Sequence, residues 1–192
     1  MNALPLSRYH PLLVALHWLL AVLIVAMLCV GFLLLAPMPN IDPQKIGILL
    51  IHISAGMLIV GLMAVRFIVR LWTVRPAAAT TGHALLDRIA PLAHDGFYVL
   101  VVLMAGTGLA TAILAGLNRS VFQGSGEPLP PSFAVYPTFV AHGYFALVLA
   151  GLVIGHALAA LHYQFARKDR LLRRMWFRRR ASGAPASAKQ IR

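Results

Sequence analysis

The sequence predicts an all-α membrane protein: a bundle of four transmembrane helices. Three observations lead there. Of the 192 residues, 60% are hydrophobic and only 11% charged, which is more apolar surface than a soluble domain of this size covers. Four apolar stretches each reach the roughly 20 residues that a helix needs to cross a bilayer. Finally, 17 Lys and Arg stand against 5 Asp and Glu. The basic residues flank the apolar stretches rather than forming a reading surface, which argues against a nucleic-acid partner and for the lipid bilayer as one.

The first span runs near Leu12 to Leu35 and stops at the turn around Pro37 and Pro39. Its apolar run is about twice the ~7–15 residues of a signal-peptide core, and no A-x-A cleavage pattern follows, so it reads as a retained helix. Cys29 lies inside it. A lone thiol makes neither an intrachain disulfide nor a metal cluster, and it reads as a small apolar residue. The second span runs near Ile46 to Trp72. The third is expected to open at Pro91, a residue suited to a first helical turn, and to reach about Leu117. The fourth runs near Thr138 to Phe165.

Connections 36–45 and 73–90 leave no room for a folded domain. The longest, about 118–137, reads NRSVFQGSGEPLPPSFAVYP. It is rich in Gly and Pro and is expected to cap one end of the bundle. Residues 1–176 thus form one transmembrane domain, and 177–192 a basic tail expected to be disordered. The segment KDRLLRRMWFRRR is expected to lie along the membrane surface, held by anionic lipid heads and by Trp176 and Phe177. All basic residues except Lys45 and Arg119 fall at the end that holds the N-terminus, the second connection and the C-terminus. The positive-inside rule then puts both termini in the cytoplasm.

Histidines inside the spans carry the chemistry. His142 and His156 are fourteen residues apart on the fourth span. That places them ~21 Å apart along one helix and within ~40° of one face. The first span adds His17 and the second His52. With the topology above, His52 and His142 share the outer level, and His17 and His156 the inner one. A buried imidazole costs a few kcal/mol unless something binds it, and metal ligation removes that cost. Zinc or copper would want three or four ligands converging at one point. Two pairs at separate depths suit two porphyrins instead, each iron held by two axial histidines with no open position, as in electron transfer. No C-x-x-C-H motif offers covalent attachment, so the expected cofactors are two haem b groups enclosed by the bundle.

Other polar residues flank this set. His94, near the inner start of the third span, lies at a depth similar to His17 and is an alternative ligand; with Asp95 beside it, it also suits a propionate or a substrate. Arg66 and Arg70 either snorkel to the inner interface or pair with the propionates of the inner haem. His162 lies six residues after His156 and about 240° round the helix, so it does not share that face. His10 and His83 lie outside the spans and read as solvated. Glycines 56, 61, 106, 108, 143, 151 and 155 fall within the spans. They serve close helix packing or make room for a flat macrocycle.

Four pieces of the chain resemble the bacterial cytochrome b561 family. They are RYHPLLVALHWLLA, IHISAGMLIVGLMAVRFIVRLW, AHDGFYVLVVLMAGTGL and HGYFALVLAGLVIGHALAALHYQFARKDRLLRRM, and the resemblance covers about residues 8–176. It implies a four-helix dihaem cytochrome of a bacterial inner membrane, with axial ligands at His17, His52, His142 and His156. The best-understood activity of the family is superoxide oxidation at the outer side with ubiquinone as the substrate reduced at the inner side. Other relatives are electron-transfer subunits for a separate dehydrogenase or hydrogenase. Where the family often carries two adjacent histidines near the quinone, this chain has His162, Tyr163 and Gln164. Together with Arg66, Arg70 and His94, His162 and Tyr163 are the groups within reach of an inner quinone. A transporter is the remaining class, but broken helices and inverted halves are not evident.

Overall fold

In the computed structural model, residues 9–74, 84–166 and 175–176 are described. Helix α1 spans Pro11–Cys29 and continues as a π-helical segment, Val30–Leu35; α2 spans Gln44–Trp72, α3 Ala84–Leu114 and α4 Pro137–Phe165. Four segments are long and apolar enough to cross a membrane: Pro11–Leu35, Gln44–Trp72, Leu92–Leu114 and Pro137–Phe165. Each helix packs on the next in chain order, and α4 closes the ring against α1.

Local chemistry sets the ends. At the start of α1 the His10 Nδ1 accepts a hydrogen bond from the Leu12 N–H at 3.2 Å, and Pro11 occupies the first turn. His10 is thus a cap, which a solvated reading missed. Pro137 opens α4 in the same manner, where its missing N–H costs nothing. The third helix departs from expectation at both ends. It begins at Ala84, so Pro91 lies inside it rather than at its start, and part of the 73–90 connection is helical. Ala, Leu and Arg before the proline are good helix formers, and a proline withholds only its own N–H from the ladder. It ends at Leu114 because Gly116 turns left-handed at φ 66°, the conformation that terminates helices.

Large apolar side chains such as Val22, Ile51, Val102 and Leu147 point outward, as lipid-facing positions do. Inside, one cluster of Leu20, Ile24, Ile59, Met63, Val101 and Leu149 occupies the middle of the bundle. A second, of Leu49, Ala112, Leu117, Val121, Leu129 and Phe133, gathers the 115–136 connection over one end. The Asn40 side-chain N–H donates to the Pro130 carbonyl at 2.6 Å, tying the two connections of that end together. It is called the loop end below, and the opposite one the basic end.

At the basic end the chain returns to α1. Trp18 Nε1 donates to the Met175 carbonyl at 2.8 Å, and the Trp18 and Trp176 rings meet edge-on at 6.3 Å. His83, Phe177, the tail and the rest of KDRLLRRMWFRRR lie outside the described residues.

Candidate cofactor site

The interior of the bundle follows a seven-residue rule. Helix α1 with its π-helical continuation carries His17, Ile24 and Gly31 at that spacing. Helix α2 carries His52, Ile59 and Arg66; α3 carries His94, Val101 and Gly108; α4 carries His142, Leu149 and His156. Seven residues return almost to the same face, within ~20°, so each triplet is one inward stripe. Three levels result. Ile24, Ile59, Val101 and Leu149 form the middle one and belong to a single apolar cluster. Polar and glycine positions lie on either side of it.

At the loop-end level the His52 and His142 rings stand 6.2 Å apart, centre to centre, at 73°. His142 is fixed from behind: its Nδ1 lies 2.9 Å from the Met104 carbonyl. That bond requires the proton on Nδ1, which leaves the Nε2 lone pair for a metal. The His52 Nδ1 is buried and has no partner among the described residues. The two other helices present glycine at this level. A Cβ on Gly108 would stand 3.1 Å from His142 Cε1, and one on Gly31 would stand 3.7 Å from His52 Cε1. Gly31 belongs to the π-helical segment, a feature frequent at functional sites. A cavity of about 570 Å³ opens here, lined by both histidines, by Gly31, Gly56, Gly108 and Gly143, and by Lys45. It is within the usual size of cofactor sites.

At the basic-end level His17 and His156 stand 6.3 Å apart at 69°. His94 and Phe97 also meet the His156 ring edge-on, at 5.4 Å and 5.5 Å. Arg66 turns into this level from α2 and donates from Nη1 to the Leu13 carbonyl of α1 at 2.9 Å. Arg70 pairs with Asp95 at 3.1 Å and lies over the Tyr98 ring. Asp95 therefore serves α2 rather than its neighbour His94. Beyond, Tyr163 is buried while His162 faces outward, the two rings edge-on at 5.7 Å.

These residues fit haem. With about 2 Å for each metal–imidazole bond and about 1.1 Å from ring nitrogen to ring centre, two axial imidazoles across one iron have centres about 6.3 Å apart. Both histidine pairs have that spacing, while His94 and His156 are closer. Among the described residues no group of three or more His, Cys, Asp or Glu gathers as a multi-ligand metal site would need. Sequence reasoning missed Gly31 and Lys45. The seven-residue spacing from His17 would have found the first, and a lysine two turns before His52 the second.

Comparison with known proteins agrees with this architecture. The profile of the family described as prokaryotic cytochrome b561 matches residues 8–178. The protein named "Probable superoxide oxidase CybB" of Yersinia pestis is 27% identical over 180 residues, covering 91% of this chain and 98% of that protein. The chain belongs to the prokaryotic cytochrome b561 family, and with it come b-type haem, electron transport and a multi-pass membrane location.

Proposed function

We propose that this member of the family is a dihaem oxidoreductase that carries electrons from superoxide, outside, to ubiquinone near the cytoplasmic side of a bacterial inner membrane. The observation that carries the reading is the pair of histidine couples, 6.2 Å and 6.3 Å apart, at the two sides of one apolar layer. In it, His52 and His142 hold one haem b and His17 and His156 the other. Bound there, haem supplies one-electron relays that need no open iron position. The residues supply everything else. The Met104 carbonyl orients His142. Gly31 and Gly108 leave the flanks of the His52–His142 couple free of side chains. The layer of Ile24, Ile59, Val101 and Leu149 keeps water from the space between the levels.

Two superoxide anions release two electrons and leave as two molecules of oxygen; one ubiquinone takes up those two electrons and two protons to become quinol. The protons enter from the basic end; the arginine distribution supports a cytoplasmic position for that end and for both termini. His94, His162 and Tyr163 are the titratable groups there within reach of a quinone head. Arg66 and Arg70 provide cations for its carbonyls or for the haem carboxylates at that level.

The test is reconstitution into vesicles with a superoxide source and ubiquinone, following haem absorbance and quinol. Superoxide-dependent quinol formation by the isolated chain is the expected result. Haem that stays oxidised under superoxide and is reduced only with a co-purified dehydrogenase or hydrogenase would replace this reading with that of an electron-transfer subunit.

A further inference from the structure

Lys45 is the one charged residue that is buried among the described residues, 5% exposed at the start of α2. An ammonium has three donors. One goes to the Met38 carbonyl. The Phe133 ring lies 5.8 Å from Nζ. Asp42 is close enough to feel the charge but makes no ion pair with it, and its Oδ1 accepts the Gln44 N–H at 2.9 Å. With the Met38 carbonyl as its hydrogen-bond acceptor and the nearby Asp42 engaged with the Gln44 N–H, the buried ammonium has donors left over, and leaving them unmatched is costly, so this site suits a further anion.

The cavity says which anion. Lys45 lines the same space as His52 and His142 and is the only Lys, Arg, Asp or Glu on its wall. It sits seven residues before His52 on α2, within ~20° of the same face and ~10.5 Å toward the loop end. A ligand whose metal centre lies at His52 presents its rim to Lys45. Haem carries two carboxylates on its rim, at the edge away from the iron. Pro131 and Phe133 line the same space, and the Asn40–Pro130 bond ties the two connections beside it.

We propose that Lys45 pairs with a propionate of the haem held by His52 and His142, and so acts as a positioning residue that fixes how that haem sits and raises its reduction potential. The proposal rests on the ligand reading above. A cation beside the macrocycle favours the reduced state, which carries one positive charge less. Arg70, paired with Asp95, has no such role at this level.

The experiment is an optical redox titration of the purified full-length protein. His142→Ala first identifies the component that belongs to the loop-end level. Lys45→Met and Lys45→Gln should then shift that component alone to lower potential, and Lys45→Arg should restore it. Redox-difference infrared spectra with haem labelled with carbon-13 at the propionates should show the carboxylate band displaced in Lys45→Met and in place in Lys45→Arg. Unshifted potentials and bands in both neutral variants overturn the proposal. So does a shift of both components together, or an arginine variant that behaves like methionine, since either marks a role in packing alone. Wild-type protein without haem, or His142→Ala with both components intact, overturns the ligand reading itself and the proposal with it; that result is in hand before any Lys45 variant is measured.

Discussion

His142 is held by two neighbours of different kinds, a carbonyl that accepts from it and a glycine that yields it space. The Met104 carbonyl stands 2.9 Å from Nδ1, and a Cβ at position 108 would come within 3.1 Å of Cε1 and 3.2 Å of Nδ1. Gly108→Ala therefore sets two effects against each other. Alanine favours the helix by about 1 kcal/mol, while the ring has to give by a few tenths of an ångström and loosen its bond to Met104, worth about 1 kcal/mol. The expected outcome is a bundle at least as stable to heat as the wild type that retains its loop-end haem about fivefold less well. A thermal melt and a haem titration on the same sample separate the two. Under the proposed function, His142→Ala removes a haem ligand outright and should leave one haem per chain instead of two, measured as the pyridine haemochrome. Of the residues at this level, the histidines were legible in the sequence because an imidazole in a hydrocarbon span is conspicuous. Gly31 and Lys45 were marked only by their seven-residue spacing from His17 and His52, a weak signal for a glycine among many glycines and a lysine at a span's edge until the opposite helix is in place.

Between elements, polar ties gather at the basic end. Arg66 links α2 to the Leu13 carbonyl of α1, one turn before His17, and Arg70 links α2 to Asp95 of α3. The second tie is weak by its setting. The Arg70 and Asp95 side chains are 27% and 62% exposed, and such pairs contribute less than about 1 kcal/mol. Asp95→Asn is thus expected to lower thermal stability by under about 1 kcal/mol and to leave both haem bands in the optical spectrum. The helices themselves were readable from apolar length, and α4 falls within a residue of expectation at each end. The third helix was not, because proline is both a good first-turn residue and a tolerable interior one, and the sequence around Pro91 does not separate the two. The loop-end connection was readable as a loop that caps the bundle, but the residues that hold it there were not. Leu117, Val121, Leu129 and Phe133 stand at multiples of four, but Gly124 and Gly126 turn the chain left-handed between the first two and the last two, so no single helix face joins them.

For the whole molecule, the stripes on the four helices make a bundle with two polar levels and one dry layer between them. His142 and His156 mark the two levels on α4, ~21 Å apart along its axis. Under the proposed function, a single substitution would sever electron exchange with one side of the membrane from exchange with the other. Leu149, midway between the two on α4 and 4% exposed, belongs to the apolar cluster that separates them. Under the proposed function, His156→Ala keeps the loop-end couple intact and should retain haem that superoxide reduces, with no quinol formed. His142→Ala keeps the basic-end couple and should retain haem that quinol reduces but superoxide does not. Both variants are expected to lose superoxide-driven quinol formation, since either one breaks the path. The measurement is the reduced haem band of each variant in vesicles, first under a superoxide source and then under quinol. Haem in His142→Ala that superoxide reduces at the wild-type rate would mean that electrons enter at the basic end, and the direction of transfer across the bundle would have to be reversed.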